Sequence, residues 1–179
     1  MFRNLSFALL FVLAGAFAAS AQEDDRKTPE KTISAKDRQK ELRAKACGTE
    51  EVNYDAKTDK TERPLPAQPA DKALIFIVRT AMIGYKIHSK LAVDGKWMGV
   101  NRGGTHFYFT LEPGEHFFCS ESENQDYLSL TVEAGKTYYL KQQVEMGVFK
   151  ARTNLTVLNE EEGKKAVAKT NLSVFELKK

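Results

Sequence analysis

The sequence predicts an all-β fold: a small Ig-like or transthyretin-like β-sandwich with a short C-terminal helix and a charged, partly helical or disordered N-terminal arm. Turn signatures recur at Val93-Asp94-Gly95-Lys96, Glu112-Pro113-Gly114-Glu115 and Glu133-Ala134-Gly135-Lys136, each between runs rich in Val, Phe, Tyr and Leu. Asp-Gly supplies the positive φ angles of a tight hairpin turn, and Pro-Gly presets one dihedral while freeing the next, so the chain must reverse at these places. The run from Ala73 to Val78 is apolar without a break, which marks a central strand covered on both faces. Seven or so short strands at this spacing suit a sandwich, with a partly open barrel as the alternative.

The elements follow in order. Met1-Phe2-Arg3-Asn4 is a short basic start, Leu5 to Ala18 is apolar, and Ala19-Ser20-Ala21 is a small-x-small cleavage site, so residues 1–21 read as a signal peptide. Cleavage there leaves Gln22 first, and Glu23-Asp24-Asp25-Arg26-Lys27 rules out a longer membrane span. The expected product is exported, secreted or periplasmic, with no transmembrane span after cleavage. Cys47 lies too far downstream to serve as an acyl attachment point. Residues 22–46 form a charged arm, helical or disordered, whose large apolar groups are Ile33 and Leu42. Ser34 with Asp37 is a capping pair ahead of a run of helix formers from Ala35 to Lys45. Residues 47–71 read as a semi-rigid connector ending in Pro64-Leu65-Pro66-Ala67-Gln68-Pro69.

The sandwich domain is expected over 72–179. Lys90 to Val93 pairs with Trp97 to Val100 across Asp94-Gly95, Thr105 to Leu111 with His116 to Ser122 across Pro113-Gly114, and Tyr127 to Val132 with Thr137 to Val144 across Gly135. Ala151 to Leu158 adds a strand, Asn159 with Glu162 caps a helix through Lys169, and Leu172 to Leu177 is the last strand. With Leu111 opposite His116, alternation puts Phe107, Phe109, Leu111, His116 and Phe118 on one face, which looks like core. His106, Tyr108, Thr110, Phe117, Cys119 and Glu121 take the other. His106 and His116 then cannot share a metal, and His88 has no acid partner at a suggestive spacing.

Cys47 and Cys119 are the two cysteines, and an even count in an exported chain reads as one disulfide. That bond would draw the arm across the second face and cover Tyr108 and Phe117. Net charge is +3 with acids interleaved among the bases, which gives no nucleic-acid footprint. Tyr138, Tyr139 and Arg102 are a possible binding surface, although strand alternation sends the two tyrosines to opposite faces. Arg102-Gly103-Gly104 precedes no helix and lacks what a phosphate loop requires. Asn154-Leu155-Thr156 and Asn171-Leu172-Ser173 match the short glycosylation pattern, and hydrolase motifs and metal-ligand groupings do not occur.

The segment Ala73 to Leu158 resembles a bacterial exported family known as domain of unknown function 2846. The likeness lies in the apolar first strand, Val93-Asp94-Gly95 followed by Gly99, Pro113-Gly114-Glu115-His116, and Ala134-Gly135-Lys136-Thr137-Tyr138-Tyr139-Leu140. Cys47-Gly48 and the connector resemble an upstream extension of some members, which pair it with a cysteine placed as Cys119 is here. The resemblance implies an envelope protein and brings no catalytic, cofactor or metal residues. The expected function is therefore non-enzymatic, in binding or envelope assembly, the partner being an unknown envelope protein or a small ligand. A small-ligand carrier would instead show an apolar cavity between the sheets, and a hydrolase a pocket gathering His88, His106 or His116 with Asp or Glu.

Overall fold

A computed structural model of the chain describes residues 34–47, 51–146 and 151–178. The expected signal peptide and residues 22–33 of the arm lie outside the described residues. What is described is a sandwich of two sheets with two short helices on its outer faces. One sheet has six strands in the order β1 (Tyr54–Asp59), β10 (Asn171–Leu177), β5 (Thr105–Leu111), β2 (Ala73–Arg79), β8 (Thr137–Met146) and β9 (Ala151–Leu158). The other has four: β4 (Lys96–Asn101), β3 (Ser89–Val93), β6 (Gly114–Glu121) and β7 (Gln125–Val132).

The unbroken apolar strand sits where such a strand should. All seven residues of β2 are buried. Ala73, Ile75 and Ile77 face the interior with Leu91, Phe107, Phe118 and Leu140, whereas Leu74, Phe76 and Val78 face helix α2 (Glu160–Ala168) with Tyr139 and Val167. Asn159 caps α2, its side-chain oxygen accepting from the Glu162 amide at 2.9 Å. Gly163 lets the helix lie on Tyr139, because a Cβ there would stand 2.1 Å from the ring's Cγ. Ser34 likewise caps α1 (Ala35–Ala46).

Of the three turns, the first alone joins paired strands. Asp94 and Gly95 have φ of 50° and 78°, and β3 pairs β4 with Val93 opposite Lys96. The other two expected hairpins are corrected: Pro113-Gly114 passes from β5 in the six-stranded sheet to β6 in the four-stranded one, and Gly135 passes back from β7 to β8. Thus Phe109 lies opposite Ile75, and Phe118 opposite Val93 and Leu128. The expected faces survive this change. Phe107, Phe109, Leu111 and Phe118 still point between the sheets, because a corner that keeps the alternation keeps the inward parity.

The connector also differs from expectation. Tyr54 and Ala56 alternate inward against Val100 and Phe175, so β1 pairs antiparallel with β10 and the sheet begins before Lys72. Two inward residues are too weak a pattern to read as a strand without the partner that covers them.

Cys47 and Cys119 form the disulfide, which holds α1 over the outer face of the four-stranded sheet beside Ala92, Trp97 and Phe117. Lys45 Nζ stands 5.0 Å above the Phe117 ring. Tyr108 escapes this cover and is 40% exposed, because β5 lies in the opposite sheet from β6. No helix among the described residues is long and apolar enough to cross a membrane.

Candidate functional site

The interior between the sheets is filled by large side chains and by a buried polar chain that gives no signal in local sequence. Gln142 Nε2 donates to Ser120 Oγ at 3.0 Å, Gln142 Oε1 accepts from Asn101 at 3.1 Å, and Ser120 meets Thr153 at 2.7 Å. These groups satisfy one another and line none of the grooves described below, so they serve packing specificity rather than ligand capture.

Two concave sites lie on the outside of the described residues. A groove of about 550 Å³ runs over the outer face of β5 between α2 and the chain that follows β1. His106 and Tyr108 form its floor, Val167, Thr170 and Leu172 one side, and Arg63 and Leu65 the other. Parallel pairing of β10 with β5, which sets Leu172 opposite His106, brings these segments together. Leu65 is 53% exposed there.

The network around His106 fixes its chemistry. Thr170 Oγ1 lies 3.1 and 2.9 Å from the carbonyls of Ala166 and Val167, so its one proton is directed to the helix end. Its oxygen, 3.0 Å from His106 Nδ1, is then left to accept, an arrangement that assigns the ring proton to Nδ1. Burial pushes the imidazole below its ordinary value against a smaller opposite effect of Thr170. His106 is thus neutral, with an Nε2 lone pair that has no hydrogen-bond partner among the described residues. The acid beside it is already engaged. Asp59 accepts from the Thr61 amide at 2.9 Å and from Arg63, and the Thr61 hydrogen bonds first, then Arg63, hold its carboxyl below the usual range.

The other histidines differ. His116 Nδ1 lies 2.6 Å from Asp94 Oδ2 and Nε2 lies 2.8 Å from the Glu112 carbonyl, so both nitrogens meet acceptors. Burial alone would lower its pKa, but the Asp94 contact and the Glu112 carbonyl outweigh it and raise the value. His116 therefore clasps the first turn to the second, partly buried as expected. His88 lines a second cleft, of about 590 Å³, with Tyr54, Lys90, Lys178 and Glu51. Burial and then the charges of Arg102 and Lys178 push His88 down.

The expected surface of Tyr138, Tyr139 and Arg102 is not assembled. Tyr138 packs against the interior and its hydroxyl accepts from the Glu133 amide, while Tyr139 stacks on Phe76 at 5.3 Å beneath α2. Arg102 lies near the far end of β2, where it reaches the Ala56 carbonyl at 3.4 Å. Sequence reading passed over Thr170 and Leu65, because 64 positions separate His106 from its hydrogen-bond partner. No cluster of three or more metal-ligating side chains occurs among the described residues.

Fold and sites together define a class: a two-sheet β-sandwich with a disulfide-stapled helix on one face and a helix-walled groove on the other. Within that class, residues 69–154 match the model of the family described as "Protein of unknown function (DUF2846)", the family that the motifs of this segment resemble. A stretch of 102 residues is 39% identical to an uncharacterized protein of Haemophilus influenzae, covering 56% of this chain. The match spans 60% of that relative's length.

Proposed function

We propose that this protein is an exported, non-enzymatic binding module that takes an extended segment of an envelope protein into the groove between α2 and the chain after β1. The observation that carries this reading is the pairing of exposed apolar side chains, Leu65 and Tyr108, with a neutral His106 at one groove floor. Apolar walls with one placed acceptor suit a ligand that offers an amide or hydroxyl donor. Export is supported by the disulfide and by the signal-like start of the sequence.

Proton-transfer chemistry has weaker support. His106 leans on a hydroxyl rather than a carboxylate, and the carboxylate-paired His116 has both nitrogens committed to joining two turns. A carrier with its cavity between the sheets is likewise disfavoured, because Phe107, Phe118, Ile75, Ile77 and Leu140 fill that space.

A photo-crosslinking side chain placed at position 108, activated in the native envelope and followed by mass spectrometry, tests the reading. One protein adduct that recurs, and that Leu65→Asp removes, is the expected result. A co-purifying metabolite without any protein adduct would favour the carrier instead.

A further inference from the structure

Three of the eight large hydrophobic side chains exposed among the described residues fall within four positions of the loop joining β2 to β3: Met82 at 62%, Ile83 at 61% and Tyr85 at 49%. A slack loop would fold such groups inward, but this one is braced from inside. Arg79, fully buried at the end of β2, donates to the carbonyls of Ile83, Gly84 and Ile87 and to Ser89 Oγ. No carboxylate among the described residues pairs with it, and burial lowers its pKa to about 10, so it remains a cation at neutral pH. Burying an unpaired charge is costly, and here the loop's own carbonyls offset that cost, so guanidinium and loop conformation depend on each other.

The outside of the loop is braced as well. Gly103 donates its amide to the Tyr85 carbonyl at 3.2 Å, and a Cβ on Gly103 would meet Tyr85 Cα at 2.8 Å, so the two backbones are in contact. Met82, Ile83 and Tyr85 are therefore presented outward by a fixed frame.

The surroundings carry cations. Lys86 follows Tyr85 directly, its Nζ 5.7 Å from the ring centroid, and the chain runs on through His88 into the cleft lined by Lys90 and Lys178, with Arg102 close enough to act on His88. Lys90 is paired with Glu121, whereas Lys86, Arg102 and Lys178 form no ion pair among the described residues. Acids also stand in this region: Glu51 in the cleft, Asp55, which acts on His88, Glu121 on Lys90, and Glu123, itself partnered, in the turn whose Ser122 donates to the His88 carbonyl.

We propose that this end of the sandwich docks on an anionic phospholipid surface, with Met82, Ile83 and Tyr85 entering the headgroup and acyl boundary and Lys86, Arg102 and Lys178 meeting the phosphates. Aromatic and apolar groups beside snorkelling cations suit that boundary, where a tyrosine ring is apolar on its body and wet at its tip. A second copy of the chain fits less well. Two-fold pairing through the loop would set its unpaired cations against their own copies.

Flotation of the chain from Gln22 onward, free of the apolar Leu5–Ala18 stretch that would itself enter lipid, with vesicles of phosphatidylglycerol and phosphatidylcholine, against phosphatidylcholine alone, tests the proposal. Expected are binding to the anionic vesicles that weakens as salt rises, and an Ile83→Ser variant that binds at least about tenfold more weakly, the loss set by one apolar side chain left in water. Ile83 is exposed, so this variant keeps the melting temperature of the parent, and a Tyr85→Trp variant adds a blue shift of its emission on anionic vesicles. Absence of binding, equal binding by Ile83→Ser, or self-association that Ile83→Ser abolishes would overturn the proposal.

Discussion

Replacing Cys47 and Cys119 together by alanine opens a bond between residues 72 positions apart. On the chain-entropy model a loop of that length contributes about 4 kcal/mol, which is a large part of the 5–15 kcal/mol that holds a typical domain. The structure adds a local consequence. Helix α1 has 12 residues, a length that is marginal in isolation, and Ala46 is its one buried residue. Apart from the disulfide, it is held by the Ala46 carbonyl accepting from the Gly95 amide at 3.2 Å, by Lys45 over Phe117, and by the small cluster around Ala46. The double variant should therefore lose stability in two stages, α1 fraying before the sheets melt. Urea unfolding followed by tryptophan emission measures the first quantity, and hydrogen exchange of the α1 amides measures the second. Alanine is preferred to serine because Cys119 is fully buried among Ala92, Phe117 and Tyr127, where a new hydroxyl would confuse the comparison. A loss below about 1 kcal/mol with α1 protection intact would refute the reasoning.

The His116 clasp gives a pH dependence of known sign: its folded pKa lies above the unfolded value of about 6.5, so its contribution is complete below that pH and is lost as pH rises through the folded value. The gap in urea midpoint between wild type and His116→Gln should narrow as pH rises, and the comparison cancels His88 and His106, whose lowered values act in the opposite direction. A gap that does not change with pH would count against the clasp. Gly163→Ala should lower the melting temperature despite the better helix propensity of alanine: overpacking against Tyr139 costs about 1–3 kcal/mol and the propensity returns about 1. Gln142→Leu should cost about 2–4 kcal/mol in chemical unfolding, because Asn101, Ser120 and the Lys90 carbonyl each lose a buried partner. A nearly neutral Gln142→Leu would mean that the polar chain re-pairs without it.

What could be read from the residues alone was whatever short-range chemistry dictates. Asp94-Gly95 demanded a reversal because few residues accept two positive φ angles in succession, and Ser34 and Asn159 announced helix starts because their side chains satisfy amides three positions away. The apolar run of β2 declared itself central, and alternation placed Phe107 and Phe118 inside. The candidate groove was not legible. Its floor, walls and the Thr170 contact that assigns the His106 proton come from segments dozens of positions apart.

Tertiary structure decided which sheet each strand joins after a turn. Pro113-Gly114 and Gly135 reverse the chain equally well within one sheet or between two, since local dihedrals fix direction and not the partner. The partner is chosen by burial: β5 gains more against β2, and β6 against β3 and β7, than the two gain against each other. The same competition made a strand of Tyr54 to Asp59 and exposed Tyr108 to the groove. The sequence alone determined the reversals, the helix caps, the inward faces and the cysteine pair; packing between distant segments determined the strand order, and with it the surfaces open to a ligand.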